Sequence, residues 1–354
     1  MSEDNKIALT DSQEGRRATI HDVAREAGVS TGTVSLALSD NPAVAKATKK
    51  RVREIANRLN YSPSAAGRAL QSRKANAVGL VVPHSGQHVF GHLYFMEVLS
   101  GVSEILNQAD MTLVLSTAEY ESEQTEEAYL KILHSQRVDG VVLASAALHD
   151  ANIARLKQSP YPFVFIGRYP LDPALPAVGI DDQGGACLAV QHLLSHGHSR
   201  IAHISGPLHH LSALDRFMGY KTSLIGARIT PRPEYSFEGD YSEEAGRAGM
   251  RHLLNLAEPP TALFAANDET ALGAIEVLRE SGIEPGKAFP VVGFDDVLLA
   301  RHACPSLTTV RQPMRQLGSL ATRMLLEIIQ GHQPDQVQTE LATELVVRRS
   351  CGCS

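Results

Sequence analysis

Apolar residues recur at helical spacing in two neighbouring segments near the start of the chain. They form one face in each segment: Ile20, Val23, Ala24 and Ala27 in the first, then Val34, Ala37 and Leu38 in the second. Thr19 and Asp22 have the spacing of a reciprocal cap for the first helix, and Ser30 is a cap for the second. Gly28 stands at the corner, where a left-handed residue is needed. This spacing favours a helix-turn-helix over an ordinary two-helix hairpin, and so predicts DNA binding.

A third helix is predicted from about residue 46 to residue 60, with one apolar and one basic face. The apolar positions are Val52, Ile55, Ala56 and Leu59, and the basic ones are Lys46, Lys49, Lys50, Arg51, Arg53 and Arg58. Because acidic residues are few on this helix, the basic face favours phosphate contact over a merely solvated surface. Tyr61-Ser62-Pro63 ends the helix, since the residue before proline is driven out of helical geometry. Residues 64–70 are expected to form one or two helical turns, too short to be stable without a partner surface.

From about residue 75 the pattern changes to buried strands that alternate with amphipathic helices. The strand-like runs are 78–82, 111–116, 138–144, 163–166, 201–205, 262–266 and 290–294. Such alternation predicts parallel sheets with helices on both faces, and this many units favours two similar lobes. Ligands of open parallel sheets bind at the carboxyl ends of the strands. Those ends carry polar pairs here: His84-Ser85, Gly167-Arg168, Asn267-Asp268 and Asp295-Asp296.

Composition and charge narrow the class of protein. The chain has 354 residues, of which 43% are hydrophobic and 20% charged, as in ordinary soluble proteins of two or three domains. It has no run of about 18 apolar residues and no secretory signal, so we expect a cytoplasmic, nucleoid-associated protein with no membrane partner. The net charge of −6 is unevenly divided. Residues 16–74 carry 12 basic and 4 acidic side chains, a net charge of +8, which leaves −14 for the rest and marks this segment as the nucleic-acid-binding one.

The sequence has no catalytic motif and no strong metal-binding motif. Because the patterns G-x-S-x-G, H-E-x-x-H, G-x-x-x-x-G-K-[ST] and G-x-G-x-x-G do not occur, we expect neither an enzyme nor a cofactor. Cys351 and Cys353 are expected on a solvent-exposed tail without partner ligands. A histidine-rich stretch contains His192, His196, His198 and His203. Gly197 interrupts its helix, so no metal ion is predicted there either.

Seven segments carry a resemblance to a known family. They are TIHDVAREAGVS, TVS, NYSPSAAGRAL, RVDGVV, ANDETALGA, VVGFDD and LTTVRQP, in this order from Thr19 onward. In this combination the chain resembles the LacI/GalR family of bacterial transcription regulators. The resemblance implies an all-α helix-turn-helix head and an α/β body like the periplasmic sugar-binding proteins, with two doubly wound parallel-sheet lobes crossed by three connecting strands. It also implies a homodimer that binds pseudo-palindromic double-stranded operator DNA and couples a small effector to operator affinity.

The expected domain boundaries follow from the patterns and the resemblance together. They are a disordered arm over 1–18, a DNA-binding head over 19–63, a hinge helix and linker over 64–74, and an effector-binding and dimerisation body over 75–354. Within the body, the N-lobe is expected at about 75–180 and 310–335, and the C-lobe at about 181–309 and 336–354. The sequence has no leucine-heptad tail, so a dimer is expected and not a tetramer.

The resemblance assigns candidate DNA-binding residues. The reading-helix contacts fall on Thr31, Gly32, Ser35 and Leu36, and the wider set adds Thr19, Thr33, Ser39, Tyr61, Ser64, Arg68 and Leu70. Leu70 matches the hinge leucine that family members wedge into the minor groove. Leu36 stands where the family usually has an arginine that often pairs with guanine, so the family's operator preferences do not transfer to this chain.

Effector-binding residues are implied in the same way. They fall on Tyr94, Phe95, Arg168, Arg216, Asn267, Asp268 and Asp295. Arg216 and Asp295 are each expected to follow a strand-like segment and to hold hydroxyl groups of a sugar, with Tyr94 or Phe95 stacked on its apolar face. An ordinary interlobe salt bridge with core aromatics is an alternative. A nucleobase corepressor is another, because Tyr94-Phe95 resembles the ring-stacking pair of the purine repressor. A free sugar-binding protein is a further alternative, but such a protein would lack the basic head and would carry a signal peptide.

Overall fold

The computed structural model describes residues 18–61, 74–82, 85–117, 132–133, 135, 137–144, 151–167 and 172–353. The chain divides into two compact units, Met1–Ala75 and Asn76–Ser354, called here the head and the body. Each unit has its own buried apolar residues.

Three helices form the described part of the head: α1 (Ile20–Ala27), α2 (Thr31–Leu38) and α3 (Lys46–Arg58). One small core joins them, made by Val23, Ala24, Ala27, Val34, Ala37, Val52, Ile55 and Ala56. Gly28 adopts the left-handed conformation (φ 63°) that turns the chain out of α1 toward α2. The predicted helix-turn-helix is therefore confirmed.

The caps of these helices explain where they begin. The Asp22 carboxylate accepts hydrogen bonds from the backbone N–H of Thr19 (2.9 Å) and from its hydroxyl (2.7 Å). The Ser30 hydroxyl accepts from the backbone N–H of Thr33 at 3.1 Å, at the start of α2. At the start of α3, Ala45 offers no side-chain cap.

The described part of the body contains two six-stranded sheets. The strands of the first sheet are β1 (Ala77–Val82), β2 (Thr112–Thr117), β3 (Gly140–Ala144), β4 (Phe163–Ile166), β5 (Ala177–Ile180) and β11 (Gln338–Leu341). Those of the second are β6 (Ile201–Ser205), β7 (Ser236–Glu238), β8 (Ala262–Ala265), β9 (Val291–Asp295), β10 (Thr308–Arg311) and β12 (Glu344–Val346). The strand orders are β11-β5-β4-β3-β1-β2 and β12-β10-β9-β8-β6-β7. All pairs are parallel except that of β10 with β12, as the strand–helix alternation predicts.

Helices lie between the strands of both lobes. They are α4 (Gly86–Gly91), α5 (Leu93–Gln108), α6 (Ala151–Gln158), α7 (Asp182–Ser195), α8 (Leu211–Gly226), α9 (Glu243–Leu254), α10 (Asp268–Glu280), α11 (Leu298–His302) and α12 (Met314–Ile329), with 3₁₀ turns at Pro233–Tyr235 and Arg349–Cys351. Every residue of β1, β3, β4, β5, β6, β8 and β9 is buried, which is the pattern of strands covered by helices on both faces. No helix in the described ranges combines the length and apolarity that a membrane crossing requires.

The chain passes between the two sheets three times, and this corrects the expected lobe boundaries. The passages follow β5, β10 and β11. Residues 338–341 pair in parallel with β5 of the first sheet, whereas the sequence assigned 336–354 to the C-lobe. Residues 308–311 pair with β9 of the second sheet, so the chain leaves the C-lobe after residue 311 and not at about residue 310 as expected. The reason is that β11 is a half-exposed edge strand, which has no apolar run to mark its sheet.

Candidate DNA-binding surface and effector site

The predicted reading residues lie on the surface of α2. Val34 and Ala37 are the buried positions of this helix, while those predicted to contact DNA are exposed or half-buried: Thr31, Gly32, Thr33, Ser35 and Leu36. Ser39 is exposed just beyond α2 and donates its hydroxyl to the backbone oxygen of Leu36 at 3.2 Å. Thr19 and Tyr61 are half-buried. Ser64, Arg68, Leu70 and Arg168 lie outside the described residues.

Gly32 is not required by the packing of the head. A Cβ atom placed on Gly32 would have the Ser30 hydroxyl, at 3.7 Å, as its nearest neighbour, which is an ordinary contact. Alanine would also favour the helix by about 1 kcal/mol. The glycine therefore has no structural explanation within the head itself.

The basic face of α3 is less free than its composition suggests. Lys49 and Arg53 both pair with one carboxylate oxygen of Asp40, at 3.0 and 2.9 Å. Lys50 lies 4.0 Å from Glu54, and Arg58 pairs with Glu26 of α1. Hydrogen bonding and charge from Lys49, with the charge of Arg53, lower the pKa of Asp40. The expectation that acidic partners are nearly absent was wrong, because Asp40 and Glu26 come from outside the helix.

Arg216 is the centre of a buried charged cluster in the body. It lies in the second turn of α8, not after a strand-like segment as the sequence analysis expected. Its guanidinium donates to an Asp182 carboxylate oxygen at 2.7 Å and to the backbone oxygen of Ala266 at 2.6 Å, and it lies 3.6 Å from Asp295. It also covers the ring of Phe294, 3.7 Å from the ring centroid. Three oxygens and one aromatic face therefore hold a cation that is 5% exposed.

Asp295 ends β9 and completes this cluster. Its carboxylate accepts from the side-chain amide of Gln312 at 2.5 Å. Burial raises the pKa of Asp295 to about 7, although the charge of Arg216 opposes the rise. Burial likewise raises the pKa of Asp182, again against Arg216. For Arg216 itself burial would lower the pKa, but the charges of Asp182 and Asp295 outweigh it and raise the pKa.

Two predicted effector residues, Asp268 and Asn267, are engaged in the loops around the cluster. Asp268 is fully buried, and its two oxygens accept from the backbone N–H of Val297 (2.9 Å) and the hydroxyl of Thr309 (2.5 Å). Asn267 caps α10 by accepting from the backbone N–H of Thr270 at 3.0 Å. Asp268 thereby fixes the segment that follows Asp295, whereas Asn267 fixes the start of α10. Their predicted contact with an effector stays a prediction.

The first lobe faces the cluster through the start of α5. Tyr94 is half-buried, and its pKa is raised by burial and then by the charges of Asp295 and Asp182. Phe95 is buried in the apolar core and meets the ring of Tyr94 edge-on at 5.2 Å. Of the two predicted aromatic residues, Tyr94 is therefore the one whose ring is not enclosed in the core.

A second contact joins the lobes beside Tyr94. The Glu269 carboxylate, at the start of α10, accepts from the backbone N–H of Leu93 at 3.3 Å and lies 3.7 Å from the His92 ring. Glu269 is 6% exposed, so this link between the lobes is shielded from solvent. The Arg216–Asp295 pair, by contrast, belongs to the second lobe alone, and is not the interlobe salt bridge considered as an alternative.

The sequence analysis missed Asp182, Gln312 and Phe294. Asp182 follows β5 in the segment Ile180-Asp181-Asp182, which has the same polar pattern at a strand end as the pairs that were selected. Gln312 follows β10 in the same way. Asp182 and Gln312 therefore carry the signal that could have identified them, a polar side chain just beyond a strand.

The C-terminal cysteines do not lie on an exposed tail, which corrects the expectation. Cys351 is 3% exposed, and Cys353 is half-buried. The Cys353 sulfur lies 3.6 Å from the ring nitrogen Nε2 of His192 and 3.3 Å from that of His196. The side chains beside the Cys353 sulfur are thus His192 of α7 and His196, which directly follows α7. Both are far from the cysteines in the sequence.

His198 and His203 take no part in this group. Nδ1 of His198 lies 3.1 Å from the hydroxyl of Thr261. His203 is fully buried and stacks on Phe264, with ring centroids 4.8 Å apart.

The head and the body each resemble a known family. Residues 19–64 match the family described as bacterial regulatory proteins, lacI family, and residues 190–351 match the periplasmic binding protein-like domain. The HTH-type transcriptional regulator CelR of Thermobifida fusca is 36% identical over 338 residues, which are 95% of this chain and 98% of the relative.

Two solved structures extend the likeness to the whole fold. A complex of the transcriptional regulator CelR with cellobiose is 34% identical, with a TM-score of 0.74 over 94% of this chain and 100% of that one. The lac repressor dimer bound to operator and the anti-inducer ONPF is 29% identical, with a TM-score of 0.84 over 95% of this chain and 99% of that one. These proteins are regulators of transcription and not enzymes. The chain therefore belongs to the LacI family of bacterial regulatory proteins and is a DNA-binding regulator of transcription.

Proposed function

We propose that this protein is a repressor whose affinity for operator DNA is controlled by a sugar bound between the two lobes of the body. The observation that carries the proposal is the buried cluster of Arg216, Asp182 and Asp295. The start of α5, which carries Tyr94, contacts the same lobe through Leu93 and Glu269. It would act in the cytoplasm, associated with the nucleoid.

The DNA-binding role rests on the surface of α2. A side chain can read bases only if it is not used in the core, and the predicted residues of α2 meet this condition. Gly32 supports the same role, since a glycine without a packing reason allows the backbone to approach DNA closely. Leu36 offers only apolar contact, for example to a thymine methyl group, and so favours a different base from the arginine of other family members.

The choice of a sugar rests on the chemistry of the cluster. Carboxylates accept hydrogen bonds from hydroxyl groups and a guanidinium donates to them, so a ring with several neighbouring hydroxyls can use all three charged groups. The phenol ring of Tyr94 offers an apolar face for the other side of the sugar. The CelR structure, which contains cellobiose, supports this class of ligand. A nucleobase would use the aromatic face but would leave most of the charged oxygens unpaired.

The proposed assembly is a homodimer on a pseudo-palindromic operator. The lac repressor dimer, which was solved bound to its operator, supports this arrangement. Two heads related by twofold symmetry would contact two half-sites in opposite orientations. The hinge residues predicted for this contact, Leu70 among them, remain predictions from the resemblance.

The test measures operator binding with and without ligand for the wild type and for Asp295→Asn. An operator is first selected from a random duplex library, and binding is then followed by fluorescence anisotropy across a panel of sugars, with nucleobases as the competing class. In Asp295→Asn we expect normal operator binding without ligand and an effector midpoint raised about tenfold to a hundredfold, because a charged hydrogen bond to the ligand is lost. Glu280→Gln, at an exposed carboxylate of the same lobe, is the matched control and should respond as the wild type does.

Two outcomes would contradict the proposal. A wild-type midpoint in Asp295→Asn would mean that the ligand binds elsewhere. A response to nucleobases and to no sugar would show that the ligand class is wrong while leaving the DNA-binding role intact.

A further inference from the structure

Two histidines and two cysteines meet at one end of α7. His192 and His196 are one helical turn apart and present their rings to the same side, with centroids 4.7 Å apart. The Cys353 sulfur lies 3.6 Å from Nε2 of His192 and 3.3 Å from Nε2 of His196. One ring nitrogen of His192 and the sulfurs of Cys351 and Cys353 all lie within 4.8 Å of one another.

The two distances from the Cys353 sulfur match the separation of a sulfur and a nitrogen ligand around a tetrahedral zinc ion. With zinc–sulfur bonds of about 2.3 Å and zinc–nitrogen bonds of about 2.0–2.1 Å, a sulfur and a nitrogen ligand stand about 3.5 Å apart. The two measured sulfur–nitrogen separations fall on either side of this value. We propose that His192, His196, Cys351 and Cys353 form a zinc-binding site that joins α7 to the C-terminal turn. A tetrahedral set of two sulfurs and two nitrogens selects zinc over hard cations such as Mg²⁺ and Ca²⁺.

The fold holds the two cysteines in place before any ion binds. The Ser350 hydroxyl is fully buried, donates to the backbone oxygen of Val291 at 2.6 Å and accepts from the backbone N–H of Thr308 at 2.8 Å. This anchors the 3₁₀ turn Arg349–Cys351 to the second sheet. Because these bonds order the backbone in advance, the entropy lost on ion binding is reduced.

Gly352 makes the spacing of the cysteines possible. It has a left-handed conformation (φ 82°), and a Cβ atom there would lie 2.6 Å from the backbone oxygen of Gly286. Only glycine fits between the cysteines in this turn.

Zinc binding at this group is coupled to the loss of protons, because cysteine binds a metal as the thiolate and histidine as the neutral ring. Binding of Zn²⁺ would replace the thiol protons by two zinc–sulfur bonds and release about two protons to the buffer.

The test titrates the full chain, reduced beforehand with a phosphine, with ZnCl₂ alone. We expect one ion per chain, release of about two protons per ion, and a higher midpoint of thermal unfolding that a chelator reverses. In a parallel titration, Co²⁺ should give the intense visible bands of a tetrahedral site and the near-ultraviolet bands of thiolate ligands.

Single variants then identify the ligands. Cys353→Ser, His192→Gln and His196→Gln should each weaken zinc binding by more than about a hundredfold, since even loss of a group that only orients a ligand costs about tenfold to a hundredfold. Cys304→Ser, at an exposed cysteine, and His198→Gln, at a histidine bonded to Thr261, are the controls and should bind as the wild type does. Circular dichroism and the urea-unfolding midpoint of each variant without zinc verify that the body is folded.

Three results would overturn the proposal. The first is no binding by the reduced wild-type chain. The second is a Co²⁺ spectrum without thiolate bands. The third is zinc binding that is equally strong in the ligand variants and in the controls, which would indicate adventitious binding at surface histidines.

Discussion

Arg216→Met should destabilise the body by about 3–5 kcal/mol at pH 8, because it leaves two buried carboxylates without their cation. The arginine makes hydrogen bonds of 2.7 Å to Asp182 and 2.6 Å to Ala266, and it lies 3.6 Å from Asp295. Methionine fills the space above Phe294 but replaces none of these contacts. The loss should therefore come from electrostatics and not from a cavity.

The cost of Arg216→Met should depend on pH, and the direction of that dependence follows from the pKa values of the two carboxylates. Burial already raises the pKa of Asp295 to about 7 and raises that of Asp182, while Arg216 opposes both shifts. Without Arg216 both pKa values should rise further, so the folded variant binds more protons than its unfolded chain. Its stability is then present at low pH and lost as the pH rises, by up to about 1.4 kcal/mol per pH unit for each protonated carboxylate. The difference from the wild type should accordingly be at least about 1.4 kcal/mol larger at pH 8 than at pH 5.5.

Urea unfolding of the full chain, followed by circular dichroism at both pH values, measures this difference. Arg247→Met is the matched control, because Arg247 also pairs with three carboxylates, those of Glu243, Glu244 and Glu276, but at the surface. Its loss should cost about 1 kcal/mol or less. A cost below about 1 kcal/mol for Arg216→Met, or a cost that is equal at the two pH values, would refute the reasoning.

Three further predictions follow from other parts of the structure. Burial lowers the pKa of His203 to about 4, so the protein should lose up to about 3 kcal/mol of stability as the pH falls from about 6.5 to 4. His203→Phe should remove this loss. The prediction is wrong if the free energy of unfolding falls equally with pH in the variant and the wild type. Asp40→Asn removes the carboxylate that pairs with Lys49 and Arg53, so operator binding should tighten at low salt. The slope of log affinity against log salt concentration should steepen by up to about 0.9 for each phosphate gained. An unchanged slope in anisotropy titrations would show that these two side chains do not face DNA. Glu269→Ala removes the acceptor of the Leu93 N–H, so hydrogen exchange at the start of α5 should become roughly tenfold faster or more. Exchange at the wild-type rate would mean that this hydrogen bond does not stabilise the contact between the lobes.

The described part of the head could be predicted nearly completely from the sequence, because its signals are local. The caps at Thr19 and Ser30 and the corner at Gly28 are each set by residues at most four positions away. Local spacing also predicted the parallel sheets. It failed at β11, where an edge strand of four residues has no buried face to reveal its partner.

The sites could be predicted only in part, because their residues come together through distant contacts. Arg216 was predicted as an effector residue and lies in the buried cluster, but its placement on a helix and its pairing with Asp182 depend on how α7 and α8 pack. The group at His192 and Cys353 was missed for the same reason, since 161 positions separate these residues in the chain. A pattern of spacings within one segment carries no information about such pairs.

The passages between the two sheets give the buried cluster a mechanical position. Asp182 is the first residue of α7 after the passage from β5, and Gln312 lies in the passage from β10 to α12. Asp182 belongs to the cluster through its bond to Arg216, and Gln312 contacts it through Asp295. Under the proposed function, a sugar that displaced either bond would act on the connections between the lobes themselves. Substitution of Asp182 or Gln312 would then change both the preference for a ligand and the stiffness of these connections.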